Sequence, residues 1–126
     1  MPRQKRDNSS LDSDDQQGPN CGSVRHSLSN REVAADVQTL ATLGNDTRYE
    51  SLRLIAEADG GICVCELEPS LGVSQGAVSQ ALSRLFSAGL VERRKEGRWR
   101  YYSTTPRANQ LLDVLDETRA STHPEE

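Results

Sequence analysis

Val73-Ser74-Gln75-Gly76-Ala77-Val78-Ser79-Gln80-Ala81-Leu82-Ser83-Arg84-Leu85-Phe86-Ser87-Ala88-Gly89 is the stretch from which the rest of the chain is read. On a helical wheel Val78, Leu82 and Leu85 share one side, and Gly76, Ser79, Gln80, Ser83 and Ser87 occupy the opposite arc. That arc carries no acid, and its members are short or both donate and accept hydrogen bonds, so it can approach a polyanion. Gly72-Val73-Ser74 before it reads as a turn with a capping serine, and Ala88-Gly89 stops the helix.

Downstream, Val91 to Lys95 and Arg98 to Ser103 read as two short strands joined by Glu96-Gly97 as a tight hairpin with a basic tip. Pro106 then opens a last helix whose apolar residues are Leu111, Leu112, Val114 and Leu115. Upstream, Val33, Val37, Leu40 and Ala41 form an amphipathic stripe ended by Gly44. A second helix starts at Asn45-Asp46-Thr47, where Thr47 and Glu50 fit a capping box, and its inner face is Leu52, Ile55 and Ala56. Asp59-Gly60-Gly61 breaks it, and Ile62 to Leu67, limited by Pro69, leaves room for one short helix. This order describes a mainly α fold with a β-hairpin wing, a winged helix-turn-helix.

In such a fold the helix after the turn enters the DNA major groove and the hairpin lies on the backbone beside it. Base edges then fall to Ser74, Gln75, Ser79, Gln80 and Ser83, and phosphates to Arg93, Arg94, Lys95, Arg98 and Arg100. Strand alternation lets only part of the basic set face one way. Trp99 is expected to anchor the hairpin on the core, with stacking on a sugar as the alternative, and Arg48 is expected to be structural, paired with an inner acid.

A chain of 126 residues and net charge -4 holds one domain. The charge would oppose nucleic-acid binding if it were evenly spread, but Arg93 to Arg100 holds five basic groups against one acidic. Residues 1–30 are polar and read as a disordered arm, 31–119 as the DNA-binding and dimerisation domain, and 120–126 as a disordered tail. No apolar run is long enough for a membrane span or a leader, so a cytoplasmic protein without a membrane partner is expected. Three cysteines, two of them a residue apart, suit reduced thiols better than a disulfide framework.

Leu43-Gly44-Asn45-Asp46-Thr47-Arg48, Cys63-Val64-Cys65-Glu66-Leu67, the turn and helix from Val73, and Leu85 with Ala88-Gly89-Leu90-Val91 together resemble the ArsR/SmtB metal-responsive repressors over roughly Val33 to Leu115. The resemblance implies a homodimer, joined through its first and last helices, that leaves double-stranded operator DNA when a thiophilic ion binds. A two-fold dimer would set half-sites about 34–36 Å apart. The Cys-Val-Cys box is similar to the arsenic-responsive branch, so arsenite or antimonite ranks before cadmium or zinc as inducer, with no permanent cofactor.

Cys63 and Cys65 are the proposed ligands. In a regular helix they would point about 200° apart, so both sulfurs could reach one ion only from an extended or unwound segment, and binding should deform the start of that helix. Where arsenic-sensing members have a third cysteine this chain has Glu68, so Cys21 on the arm, even with His26, is the candidate to complete a site. Asp113 and Asp116 on the last helix read as a solvated face. Other readings are a thiol redox switch on the same scaffold, a winged helix that binds only protein, and a thiol enzyme, which Cys-x-Cys spacing without a β-α pattern disfavours.

Overall fold

Short polar side chains set the starts of the helices in a computed structural model that describes residues 22–58 and 60–122. Cys21, most of the expected arm and the end of the expected tail lie outside those residues. Ser29 caps α1 (Asn30–Leu43) in a reciprocal box with Glu32. Asn45, not a Thr47 and Glu50 box, caps α2 (Asp46–Glu57): its Oδ1 accepts the Arg48 N–H at 3.0 Å. The asparagine wins because it stands where the backbone is still extended, one residue ahead of the helix. Ser74 caps α4 (Gln75–Ser87), and Thr105 Oγ1 accepts the Ala108 N–H at the start of α5 (Pro106–Thr122). The last helix therefore runs past residue 119.

Between α2 and α4 lies an element that periodicity did not resolve. Ile62–Cys63 forms β1, and α3 (Val64–Leu71) follows with Pro69 inside it. β2 (Val91–Glu96) and β3 (Trp99–Thr104) complete an antiparallel sheet in the order β1-β3-β2. Glu96 pairs with Trp99, so the hairpin turns on Gly97-Arg98 rather than Glu96-Gly97. Gly97 has φ 63°, which glycine adopts without a steric penalty at the first central position of a two-residue hairpin.

The core joins these elements on one side of α4. Val78, Leu82 and Leu85 are buried with Leu52, Ile55, Leu67, Leu90, Val91, Tyr102, Ala108 and Leu112. Ser51 rather than Ala56 completes the buried face of α2, its hydroxyl donating to the Thr47 carbonyl at 2.7 Å. Three further expectations change. Trp99 is 51% exposed, because its register opposite Glu96 puts it at the strand end beyond the core. Arg48 is structural but pairs with no acid among the described residues: it donates to the Thr42 and Ala41 carbonyls at 2.7 and 3.3 Å, closing the end of α1. Asp116 is not simply solvated, because Arg53 of α2 holds it with two hydrogen bonds, 2.7 and 3.2 Å, and Arg119 adds a third.

α1 buries Thr39 and Thr42, whose hydroxyls bond back to Ala35 and Gln38 carbonyls. Its apolar stripe looks outward, with Leu40 67% and Val37 57% exposed. α5 divides in the same way, Ala108 and Leu112 inside and Val114 and Leu115 outside. Substitution of Leu82 by Ala, at the centre of the core, is expected to cost about 2.7–5 kcal/mol in urea denaturation. A cost below about 1 kcal/mol would show that α4 is not seated by that packing.

Candidate nucleic-acid interface and thiol pair

α4 is firmly seated in the core, with Val78 and Leu85 at 0% exposure. That seating leaves Gln75, Gly76, Ser79, Gln80, Ser83 and Ser87 exposed along its outer face, as the wheel requires. Ser74 differs from the other candidate readers. Its Oγ accepts the Ala77 N–H at 3.1 Å, which fixes the side chain at the cap and leaves the hydroxyl hydrogen and one lone pair to offer. No acid stands in the first turn of α4.

The wing sorts its cations by strand parity. Register places Arg93, Lys95 and Arg100 on the face that carries Val91 and Tyr102, and Arg94 on the other with Glu92, Glu96 and Tyr101. Arg94 is engaged: it donates to Glu96 at 2.8 Å and to the Gly60 carbonyl at 3.2 Å, and lies over the Tyr101 ring. Arg93 stacks on Phe86 near the end of α4, 4.0 Å from the ring centroid, which fixes the wing against that helix. Lys95 and Arg100 are directly opposed, and like charges so placed repel. They and Arg98 at the turn are exposed, without an ion pair among the described residues. An anion beside them would relieve the repulsion.

Cys63 and Cys65 meet at the junction of sheet and helix. Cys63 is the last residue of β1 and the N-cap of α3, with extended backbone (φ -79°, ψ 146°). Its N–H donates to Glu66 Oε1 at 3.1 Å. Because Cys63 precedes the helix, the 200° separation of a regular helix does not apply. The two Sγ atoms are 2.8 Å apart, the Cys65 thiol donating to the buried Cys63 sulfur from an exposed position. The sulfurs thus stand on one side without any unwinding of α3. The hydrogen bond to Cys63, then local desolvation, then the negative charge of Cys63 and Glu66 push the Cys65 thiol above its ordinary pKa.

Among the described residues no group of three or more His, Cys, Asp or Glu stands close enough to hold a metal ion. His26 lies ahead of α1, its Nδ1 accepting the Leu28 N–H at 3.1 Å. Cys21 is outside the described residues. Asp113 is exposed, and Asp116 is held by arginines.

Three participants escaped the sequence reading. Arg84 sits at the edge of the outward arc of α4 and was open to a wheel plot. Phe86 and Tyr101 could not be assigned, since their roles depend on strand register and on where the hairpin turns.

The chain matches the family described as bacterial regulatory protein, arsR family, over residues 45–93. A Halobacterium salinarum protein that carries the name arsenical resistance operon repressor ArsR2 is 62% identical over 89 residues, covering 71% of this chain and 75% of that one. A second protein of that organism, under the name arsenical resistance operon repressor ArsR, is 49% identical over 87 residues, covering 69% and 67%. Among solved structures, the homodimeric winged helix-turn-helix DNA-binding domain (fragment 1–100) of Mb0332 from Mycobacterium bovis superimposes with a TM-score of 0.63 at 29% identity, covering 80% of this chain and 94% of that one. No helix of the described residues is long and apolar enough to cross a membrane. A seated helix with an acid-free outer face, a basic wing stacked beside it and kinship of this depth place the chain in the arsR family, as a DNA-binding transcriptional regulator and not an enzyme.

Proposed function

We propose that this chain is a cytoplasmic homodimeric repressor that holds its operator through α4 and the wing and releases it when arsenite or antimonite is taken up by Cys63 and Cys65. The observation that carries this reading is the thiol pair, two sulfurs 2.8 Å apart with one of them exposed. Its relatives' names point the same way.

The donor set suits a metalloid better than a divalent metal. Each cysteine thiol exchanges for one hydroxyl of neutral As(OH)3: an As–S bond forms, an As–O bond breaks, and the thiol proton leaves with the hydroxide as water. Two exchanges release two waters and leave one hydroxyl on arsenic, with no net proton release. Cadmium or zinc instead requires both thiols deprotonated and further ligands. Those would have to be supplied beyond the thiol pair, with Cys21 and His26 the sulfur and nitrogen candidates in the sequence.

The route to DNA runs through the sheet. Bonds of about 2.3 Å to one atom, at angles of about 90–109°, hold two sulfurs about 3.3–3.8 Å apart. Holding one atom therefore fixes the separation and direction of both sulfurs, which the free thiols do not fix by themselves. Cys63 is the strand partner of Tyr101, on which Arg94 lies, so movement of Cys63 bears on β3 and the wing. This replaces an unwinding of α3 as the source of differential affinity. The outward apolar residues of α1 and α5 supply the dimer face that gives two recognition helices.

Arsenite titrated into the reduced protein on its upstream region should weaken DNA binding about 5- to 150-fold. Cys63→Ser and Cys65→Ser should abolish the response, whereas Cys21→Ser should leave it; an unchanged response in both pair variants would overturn the site. A redox reading also draws on the close sulfurs, and release by peroxide but not by arsenite would select it.

The raised Cys65 pKa gives a second check with a definite sign. Thiolate becomes scarcer as pH falls, so cadmium affinity, followed by thiolate absorbance, should weaken steadily toward acid while arsenite affinity stays nearly level across neutral pH. Parallel pH profiles for the two would contradict the exchange chemistry.

Leu40→Glu on the outward face of α1 should sediment as a monomer and lose about 100-fold or more in operator affinity, as expected when two sites are no longer linked. A dimer that persists in this variant would exclude α1 from the interface.

A further inference from the structure

Beside α4, on the flank away from the wing, lies a cleft of about 520 Å³ between the first turn of α2 and the outer face of α4. Thr47 and Arg48 line it from α2, and Gln80, Ser83 and Arg84 from α4. Among the described residues no acidic side chain lines it; Asp46, the nearest acid in sequence, does not reach it. Arg48 is committed to the end of α1. Arg84 is exposed and makes no side-chain hydrogen bond or ion pair among the described residues. It is the single cation of α4.

Its position gives the cleft a meaning. At 100° per residue Arg84 and Phe86 stand about 160° apart around the helix axis. Arg93 lies over Phe86, so cationic groups flank α4 on both sides, with Ser79, Ser83 and Gln80 between them. A helix with its side chains is about 10–12 Å across, and the major groove is about 12 Å wide. A helix seated in that groove meets one phosphate strand along each flank. The wing serves only one of them.

We infer that this cleft is a second phosphate site, in which Arg84 takes a backbone phosphate of the strand opposite the one the wing follows. The Thr47 hydroxyl and the Gln80 amide are the further donors in reach of the same cleft. The inference rests on the repressor reading above and assigns Arg84 to positioning, since a phosphate contact fixes register without reading sequence.

The test is DNA binding by the full-length protein across a salt series, on a duplex from its own upstream region and on a scrambled duplex of the same composition. Arg84→Gln removes two phosphate contacts per dimer and should make the slope of log affinity against log salt shallower by about 1.8 on both duplexes, and Arg84→Lys should keep the wild-type slope. Trp99 fluorescence and the thermal midpoint should match wild type in both variants, because the side chain is exposed. An unchanged slope in Arg84→Gln, or a loss confined to the upstream duplex, overturns the phosphate assignment while leaving the repressor reading in place. Wild-type protein whose binding to both duplexes ignores salt overturns the repressor reading and this site with it.

Discussion

Two strand pairings, Ile62 with Tyr102 and Cys63 with Tyr101, join the halves of the molecule that carry different chemistry. β1 is only two residues long, yet it ends on a thiol and lies against the central strand of the wing. Without it the thiol pair would belong to a helix terminus with no direct connection to the hairpin. Gly61 makes the approach feasible. Its φ of 110° is open to glycine, and a Cβ there would stand 3.3 Å from the Tyr102 carbonyl and 3.4 Å from the Arg94 guanidinium. Arg94 closes the junction from the other side through the Gly60 carbonyl and the Tyr101 ring.

The wing also shows how a net charge of -4 coexists with a basic strand face. Glu92 and Glu96 share a strand face with Arg94, and Glu96 neutralises it. Arg93, Lys95 and Arg100 occupy the opposite face. Strand parity thus separates charges that are mixed along the sequence, and the acids of the wing do not dilute the field of its cations. Asp116 is handled differently: hydrogen bonds from Arg53, then from Arg119, hold its carboxyl below the usual carboxylate range. The result is a tie between α2 and α5.

How far the sequence could be read follows from the length scale of each feature. α4 was legible because thirteen residues repeat a 3.6-residue pattern and end on recognisable caps. The outward stripes of α1 and α5 were legible as apolar residues, but their exposure was not, because periodicity marks a face without saying what covers it. β1 was illegible, as two residues cannot display alternation. The hairpin turn moved by one residue for the same reason: Glu96-Gly97 and Gly97-Arg98 both put a glycine in a two-residue loop, and only pairing decides between them. The one-residue shift carried Trp99 to the strand end. The family resemblance located the thiols, but their mutual direction depended on Cys63 being an N-cap, which the strand before it imposes.

The energetics ask little of the coupling. A tenfold loss of DNA affinity is about 1.4 kcal/mol, well inside the range of ordinary allosteric coupling. Bringing two sulfurs that already stand side by side to bonding geometry about one atom is a small rearrangement. Pro69 lacks the N–H that would bond the Cys65 carbonyl, so the turn bearing Cys65 is not locked by a full helical ladder. Cys63 by contrast is buried and strand-paired. Drawn toward one atom, the exposed thiol takes up most of the displacement, and only the smaller share carried by Cys63 reaches Tyr101. What the wing feels in the proposed sensor is thus set by how far Cys63 itself must move, because Cys63 and not Cys65 is paired to β3.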